Sequence, residues 1–491
     1  MGSDKYQRVS VRALNHRVAA EFCWKSPRMS KSHRNYNPHC PGPIDRRAFL
    51  KIGGLGMGAL GLGMEPGLTQ LLQAGESIAD AKNDFSVIML WANGGPSHLE
   101  TFDMKPDAPE EYRGDFKPIP TNVPGLDICE LLPNLAQMAD KFSIVRSLHH
   151  NRNEHSGGTC RFLSGYTPIA ANPSDAEYPE MASVVSRELE HTITDIPLFV
   201  ANTKFYGGGP AYLGASCSPF MFRGDPNSDG FGVGDLTVAD TALKDLQTRQ
   251  KLLKTFDTFR RDFDRSKTMS ALDRFNQRAV AMLTSTRTAD AFDLSKEPDA
   301  LRDKYGRTNW GQGLLLARRL VESGVRIVQL QATFKISKEA GRTSNWDDHS
   351  VNADIFKAYR ERMPVFDQCV PALITDLQER GLDKNVLFIF CGEFGRTPLV
   401  RNQDKATKRP GRDHWSKAMS IFLAGGGLKM GQYIGATNAK GEHPVDRIMN
   451  SNCLLATLYH KFGIDFHKHY FDNSGRPIPI LTDGEPISEL L

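Results

Sequence analysis

Short apolar runs alternate with longer stretches of helical period through the second half of this 491-residue chain. That alternation leaves few folds open. Residues 310–323 read as helix, 325–333 as strand, 351–381 as a long helix, 385–391 and 418–424 as strands, and 453–462 as helix. Upstream, 85–91, 142–148 and 196–201 read as strands. Residues 133–140 read as a helix with proline at its first position, and 154–164 as a loop entering a helix. Apolar runs without polar alternation are strands buried on both faces. The expected class is therefore α/β: a mostly parallel central sheet covered by helices on both sides. Residues 240–286 are charged and periodic, which predicts a largely helical excursion near 235–300.

In such sheets ligands gather at the carboxyl ends of strands. Three clusters fall near such ends: Trp346-Asp347-Asp348-His349, then Gly392-Glu393-Phe394-Gly395-Arg396-Thr397-Pro398, then Gly411-Arg412-Asp413-His414-Trp415. Asp347 and His349 are two apart, so an extended segment points both to one side. Two Asp/His groups and a strand-end Glu393 are competent metal ligands. Asp413 reads either as part of that set or as a salt-bridge partner of Arg412 or Arg396. Arg396 could hold a substrate anion or pair with Glu393. The first strand leads into Asn93-Gly94-Gly95-Pro96-Ser97-His98, where His98 is a candidate ligand. Asn93 reads as closing the turn, because amides bind divalent cations poorly. Three histidines, His149, His150 and His155, precede a helix start that also carries Ser156 and Thr159. Imidazoles there can bind metal or move protons, and a helix N-terminus favours anions.

The N-terminal region carries its own signal. Asp45-Arg46-Arg47-Ala48-Phe49-Leu50-Lys51 fits a twin-arginine export pattern, followed by a glycine-rich apolar run at 52–64 and an A-x-A site at Ala79-Asp80-Ala81. The run is shorter than the roughly 20 residues of a membrane span. This divides the chain at 1–81 and 82–491, and implies passage through the twin-arginine machinery to the periplasm or beyond. Residues 1–81 hold 11 Lys+Arg and 6 Asp+Glu of the chain's 61 and 57. The remainder has 50 and 51, a net charge of −1, with no basic stripe that would suit nucleic acid. Six cysteines remain after cleavage and none forms C-x-x-C, so buried thiols are expected rather than a disulfide framework.

Taken together, the export signal, the three clusters, Gly94-Gly95-Pro96-Ser97-His98 and Gly475-Arg476-Pro477-Ile478-Pro479 resemble a family of exported, sulfatase-like bacterial proteins. It is the family known as domain of unknown function 1501, within the alkaline phosphatase and sulfatase superfamily. The resemblance covers nearly the whole chain. It implies an alkaline phosphatase-like three-layer α/β/α sandwich and a metal-assisted attack on a phosphate or sulfate ester. Carried over by position, the superfamily's first metal carboxylate falls on Asn93 and its nucleophile slot near His155. An Asp-His ligand pair falls on Glu393 and Phe394, and the later ligands fall near Asp347, His349 and His414. The x-Pro-x-Arg that follows a sulfatase nucleophile is missing, with Gly157 and Thr159 in its place. The implied metal ligands are His98, His155, Asp347, His349, Glu393 and His414, with zinc or calcium as the divalent cation. His155, Ser156, Thr159 and Arg396 are the implied catalytic groups, Ser156 or Thr159 as nucleophile unless a metal-bound water attacks. Two functions follow: a hydrolase of small-molecule or glycan esters, or a non-catalytic protein that binds a surface glycan or exported partner. The export reading predicts that replacing Arg46 and Arg47 together by lysine leaves an unprocessed chain in the cytoplasm. Cell fractionation checks this, with N-terminal sequencing of the wild-type product expected to begin at Lys82.

Overall fold

The computed structural model describes residues 84–192, 195–229, 231, 285–402 and 409–491. The export segment and all but the last part of the helical excursion lie outside the described residues. Nine strands form one sheet: β1 Ser86–Trp91, β2 Phe142–His149, β3 Phe199–Ala201, β4 Phe220–Met221, β5 Ile327–Gln331, β6 Val386–Cys391, β7 Met419–Gly425, β8 Gln432–Ile434 and β9 Met449–Asn450. Their order is β8-β2-β7-β6-β1-β5-β3-β4, with β9 also on β2. Every pairing is parallel except those of β7, which runs antiparallel to both β6 and β2.

Besides two four-residue helices at Glu110–Arg113 and Pro133–Ala136, the described helices are α1 His155–Ser164, α2 Met181–Glu188, α3 Thr286–Phe292, α4 Asp299–Tyr305, α5 Asn309–Glu322, α6 Ile355–Glu379 and α7 Ser451–Phe462. Strand periodicity sends alternate side chains to opposite faces. In β1, Ile88 and Leu90 join a core with Leu314 and Leu316 of α5 and Phe366 and Leu373 of α6. Val87, Met89 and Trp91 join a second core with Phe162 of α1, Val185 of α2 and Leu458 of α7. The sheet is thus buried on both faces, and the architecture is the three-layer α/β/α sandwich with a mostly parallel centre.

Several boundaries differ from the sequence reading for local reasons. The long helix begins at Ile355, because the Asp354 side chain accepts a hydrogen bond from the Lys357 amide at 3.1 Å. An Asp N-cap ends the preceding loop there. The helix then runs through Pro364 and Pro371. The segment 133–140 is helical only over Pro133–Ala136, followed by a 3₁₀ turn at Ala139–Lys141. None of the six described cysteines is in a disulfide, and five are buried. Among the described residues no helix is long and apolar enough to cross a membrane.

The antiparallel β7 has a consequence for function. It starts at the sheet edge where its parallel neighbours end. A motif that precedes β7 therefore meets motifs that follow β1, β2, β5 and β6. Residues Gly395–Arg396 and His414–Trp415 join as a two-residue ribbon, His414 opposite Arg396.

Arg362 of α6 fastens one of these loops. It is fully buried, donates to Asp348 Oδ2 at 2.7 Å, and lies 5.1 Å from the Trp346 ring centre. Removing one member of a buried ion pair leaves an uncompensated charge and costs about 3–5 kcal/mol. Arg362→Met is expected to lower unfolding stability in urea by that amount. Adding Asp348→Leu should recover more than half of it.

Candidate metal centre

Three segments at strand ends bring three imidazoles around Asp347. His155 stands at the first position of α1, just beyond β2. Asp347 and His349 sit on the loop between β5 and α6, and His414 on the ribbon before β7. The Oδ1 of Asp347 lies 2.9 Å from His414 Nε2, 3.0 Å from His349 Nε2 and 3.6 Å from His155 Nε2. The Nε2 atoms of His349 and His414 are themselves 3.0 Å apart. At most one proton fits between two such nitrogens, while both also face the same carboxylate. A shared cation would satisfy His155, Asp347 and His414 together, with His349 outside that tightest group, and His/Asp donors suit a divalent metal. Among the described residues, His155, Asp347 and His414 form the one group of three such residues with ligand atoms all within 4.8 Å of one another.

Each imidazole is fixed from behind. His155 Nδ1 lies 2.6 Å from Glu393 Oε1, His349 Nδ1 lies 2.8 Å from Asp413 Oδ1, and His414 Nδ1 lies 2.7 Å from the Asn153 carbonyl oxygen. Acceptors on Nδ1 set the tautomer that leaves the Nε2 lone pair free for a metal. The Phe394 ring packs against His155 and His414 at 5.5 and 4.4 Å between centroids, forming an apolar floor. The donors are partly open, with 35% of the His155 side chain and about a fifth of Asp347, His349 and His414 exposed.

The charges are strongly coupled. Burial acts against the Asp347 carboxylate, but bonds to His155, His349 and His414 and the Arg396 charge outweigh it and hold the carboxyl far below its usual range. Burial likewise opposes charging His155, yet its bonds to Asp347 and Glu393 push it up to about 9. Burial lowers His414, whereas the Asp347 bond raises His349 despite burial.

Glycine makes the close approach possible. Gly94 has φ +107°, and a Cβ there would lie 2.3 Å from the Asp347 amide nitrogen. Its own N–H donates to Glu393 Oε1 at 2.7 Å.

Other residues singled out from the sequence lie elsewhere. His98 is buried, with Nε2 2.8 Å from the Gly441 carbonyl oxygen, and does not join the converging donors. Glu393 is buried behind His155 rather than beside Asp347. Thr159 is buried, and its hydroxyl donates to the His155 carbonyl at 2.8 Å, as helical threonines do to the preceding turn. Ser156 donates to Asn172 Oδ1 at 3.3 Å. Arg396 is fully buried and pairs with Asp347, not Glu393. It donates to Asp347 Oδ1 at 2.8 Å and to the carbonyls of Gly94, Gly95, Trp346 and Arg412, which leaves no face for a substrate anion. Asp413 pairs with His349, and Arg401 stands 3.9 Å from its other oxygen with 53% of its side chain exposed. Nothing in the sequence distinguished Arg401, which sits outside every motif.

The family model described as "Protein of unknown function (DUF1501)" matches residues 84–491. The chain belongs to this family. No curated protein matches the chain. Among solved structures it is similar to the lipoteichoic acid synthase LtaP from Listeria monocytogenes, at 12% identity, covering 82% of this chain and 76% of that one, with a TM-score of 0.35. It is also similar to the PsFucS1 sulfatase from Pseudoalteromonas sp., at 12% identity, 82% and 72% coverage, and a TM-score of 0.36. A third likeness is to the C-terminal periplasmic domain of EcEptC from Escherichia coli, at 10% identity, 78% and 83% coverage, and 0.33. Similarity this distant transfers neither site nor substrate.

His150 ties the centre to folding. Its Nε2–H donates to the Glu393 carbonyl at 2.6 Å, and its Nδ1 accepts from the Arg152 amide at 3.1 Å, so the ring is held neutral. Burial pushes it down to about 4. The unfolded chain takes up this proton near pH 6.5 and the folded one does not. The stabilisation is therefore complete above pH 6.5 and lost as pH falls towards 4, a change of about 3 kcal/mol. The stability difference between wild type and His150→Asn, measured by urea unfolding, is expected to shrink by that order between pH 7 and pH 4.

Proposed function

We propose that this protein is a metal-dependent hydrolase of phosphate or sulfate esters that works outside the cytoplasm after twin-arginine export. The observation that carries the reading is the convergence of three imidazole Nε2 atoms on Asp347 Oδ1 in a partly open site. His155, Asp347, His349 and His414 would hold the metal. When bound, a divalent cation polarises an ester oxygen and lowers the pKa of an attacking water.

The chain's own groups supply the rest. Arg401 is an exposed guanidinium on the rim, and its backbone is pinned by two hydrogen bonds with Gly411, at 2.8 and 2.9 Å. Its long contact to Asp413 leaves the head free to turn towards a tetrahedral anion, which guanidinium groups bind in a planar, two-pronged fashion. This assigns to Arg401 the anion-holding role that the sequence reading placed on Arg396. The start of α1 carries no side-chain cap, and its positive end favours an anion beside His155. Thr159 is too buried to attack an ester, and Ser156 would first have to leave Asn172. Direct attack by water therefore fits better than a covalent intermediate.

Asp347→Asn is expected to lose bound metal, measured by elemental mass spectrometry on dialysed protein, and to lower turnover of a responsive ester at least about 100-fold. Arg401→Ala is expected to retain the metal and raise KM for an anionic ester about tenfold, with a smaller change in kcat. Full metal with no ester turned over in a broad screen would sink the hydrolase reading. It would favour a binding protein for a glycan or exported partner instead.

A further inference from the structure

Two acidic side chains at the centre have a different task from Asp347. Glu393 is fully buried, and its Oε1 is taken by the Gly94 amide and by His155 Nδ1. Asp413 Oδ1 is taken by His349 Nδ1. Both act on the ring nitrogen that faces away from the shared point. Asp347 is the one carboxylate that shares the space of the three Nε2 atoms.

We infer that the centre takes one zinc-class ion per chain on three imidazoles and Asp347, with Glu393 and Asp413 as positioning residues that hold His155 and His349 in the Nδ1–H form. The inference rests on the metal-centre part of the proposed function and goes further in count, metal class and division of roles. Three observations support it. The donors are three nitrogens and one oxygen, whereas calcium takes six to eight oxygens. Such a set suits zinc and its neighbours in the first transition row. The Phe394 ring closes the space against His155 and His414, where a second ion would need polar donors. Among the described residues no second group of three ligand-type side chains converges.

The test uses the full exported chain, stripped with chelator and titrated with Zn²⁺ or Ca²⁺ by calorimetry. One equivalent of zinc is expected, with calcium bound at least about 100-fold more weakly. Nitrogen NMR of the zinc-loaded protein should find Nδ1 of His155 and His349 protonated. Glu393→Gln and Asp413→Asn should each keep one equivalent and the visible spectrum of the Co²⁺-loaded protein, while zinc binding weakens about 10- to 100-fold. Asp347→Asn removes a ligand and should change that spectrum. Asp413 is partly exposed, so its variant keeps the test open should the buried Glu393→Gln fail to fold.

Two zinc equivalents, a preference for calcium, or a spectrum altered in Asp413→Asn as in Asp347→Asn would overturn the inference while leaving a metal-dependent hydrolase standing. One zinc with no ester turned over would do the reverse. Absence of any binding by the wild type would remove both.

Discussion

The centre depends on one buried guanidinium. Arg396 donates to the carbonyls of Gly94 and Gly95 after β1, of Trp346 before Asp347, and of Arg412 before His414, and to Asp347 itself. These segments are far apart in sequence, and the arginine adds to the backbone bonds that already join them, such as Trp346 N–H to the Asn93 carbonyl at 2.8 Å. A buried charge is tolerated only when its donors are satisfied. Here they are satisfied by the backbones that must be held together. The cost of desolvating the arginine is thus offset by the assembly of the site. Two further arginines repeat the device at the edges. Arg362 pairs with Asp348, and Arg412 pairs with Glu100 at 2.6 Å while donating to the Tyr112 and Thr397 carbonyls.

This division of labour explains what could and could not be read from the sequence. The sandwich was legible because its strands are unbroken apolar runs and its helices have caps and period. The residues that form the centre were legible as types at strand ends, and Asp347, His349, His414 and His155 meet in space. Their roles were not legible. Glu393, Arg396 and Asp413 are chemically as fit for ligand or substrate contact as their neighbours. Only burial and the direction of each side chain separate a ligand from its support. His98 shows the same limit: a histidine in a glycine-rich turn after β1 looks like a ligand, and packing turns it towards Gly441. Arg401 lies outside every motif, and its place beside Asp413 follows from the ribbon that joins 401 to 411.

The antiparallel strand is the second constraint. A wholly parallel sheet would carry the segment before β7 to the opposite edge, away from the carboxyl ends. Reversing β7 brings His414 to the three donors that follow parallel strands, and the Gly395–Arg396 ribbon fixes its register. Topology therefore decides how many donors meet. Gly94 then decides the distance, since its left-handed backbone lets the Asp347 loop approach within a span that any side chain would fill.

A centre built this way carries a charge problem that a bound cation would resolve. Asp347 and Glu393 share His155, whose two ring nitrogens face one carboxylate each, and those carboxylates hold a proton on it at neutral pH. A bound cation would take over the compensation of Asp347, and the proton on His155 Nε2 would leave with it. Glu393 would keep its hold on Nδ1. Metal and proton would thus compete for one nitrogen while the other stayed fixed, so the imidazole could change partners without turning. A cation that binds only this folded arrangement also stabilises it. The loops that Arg396 gathers would then be held from both sides, by a buried charge beneath and a metal above.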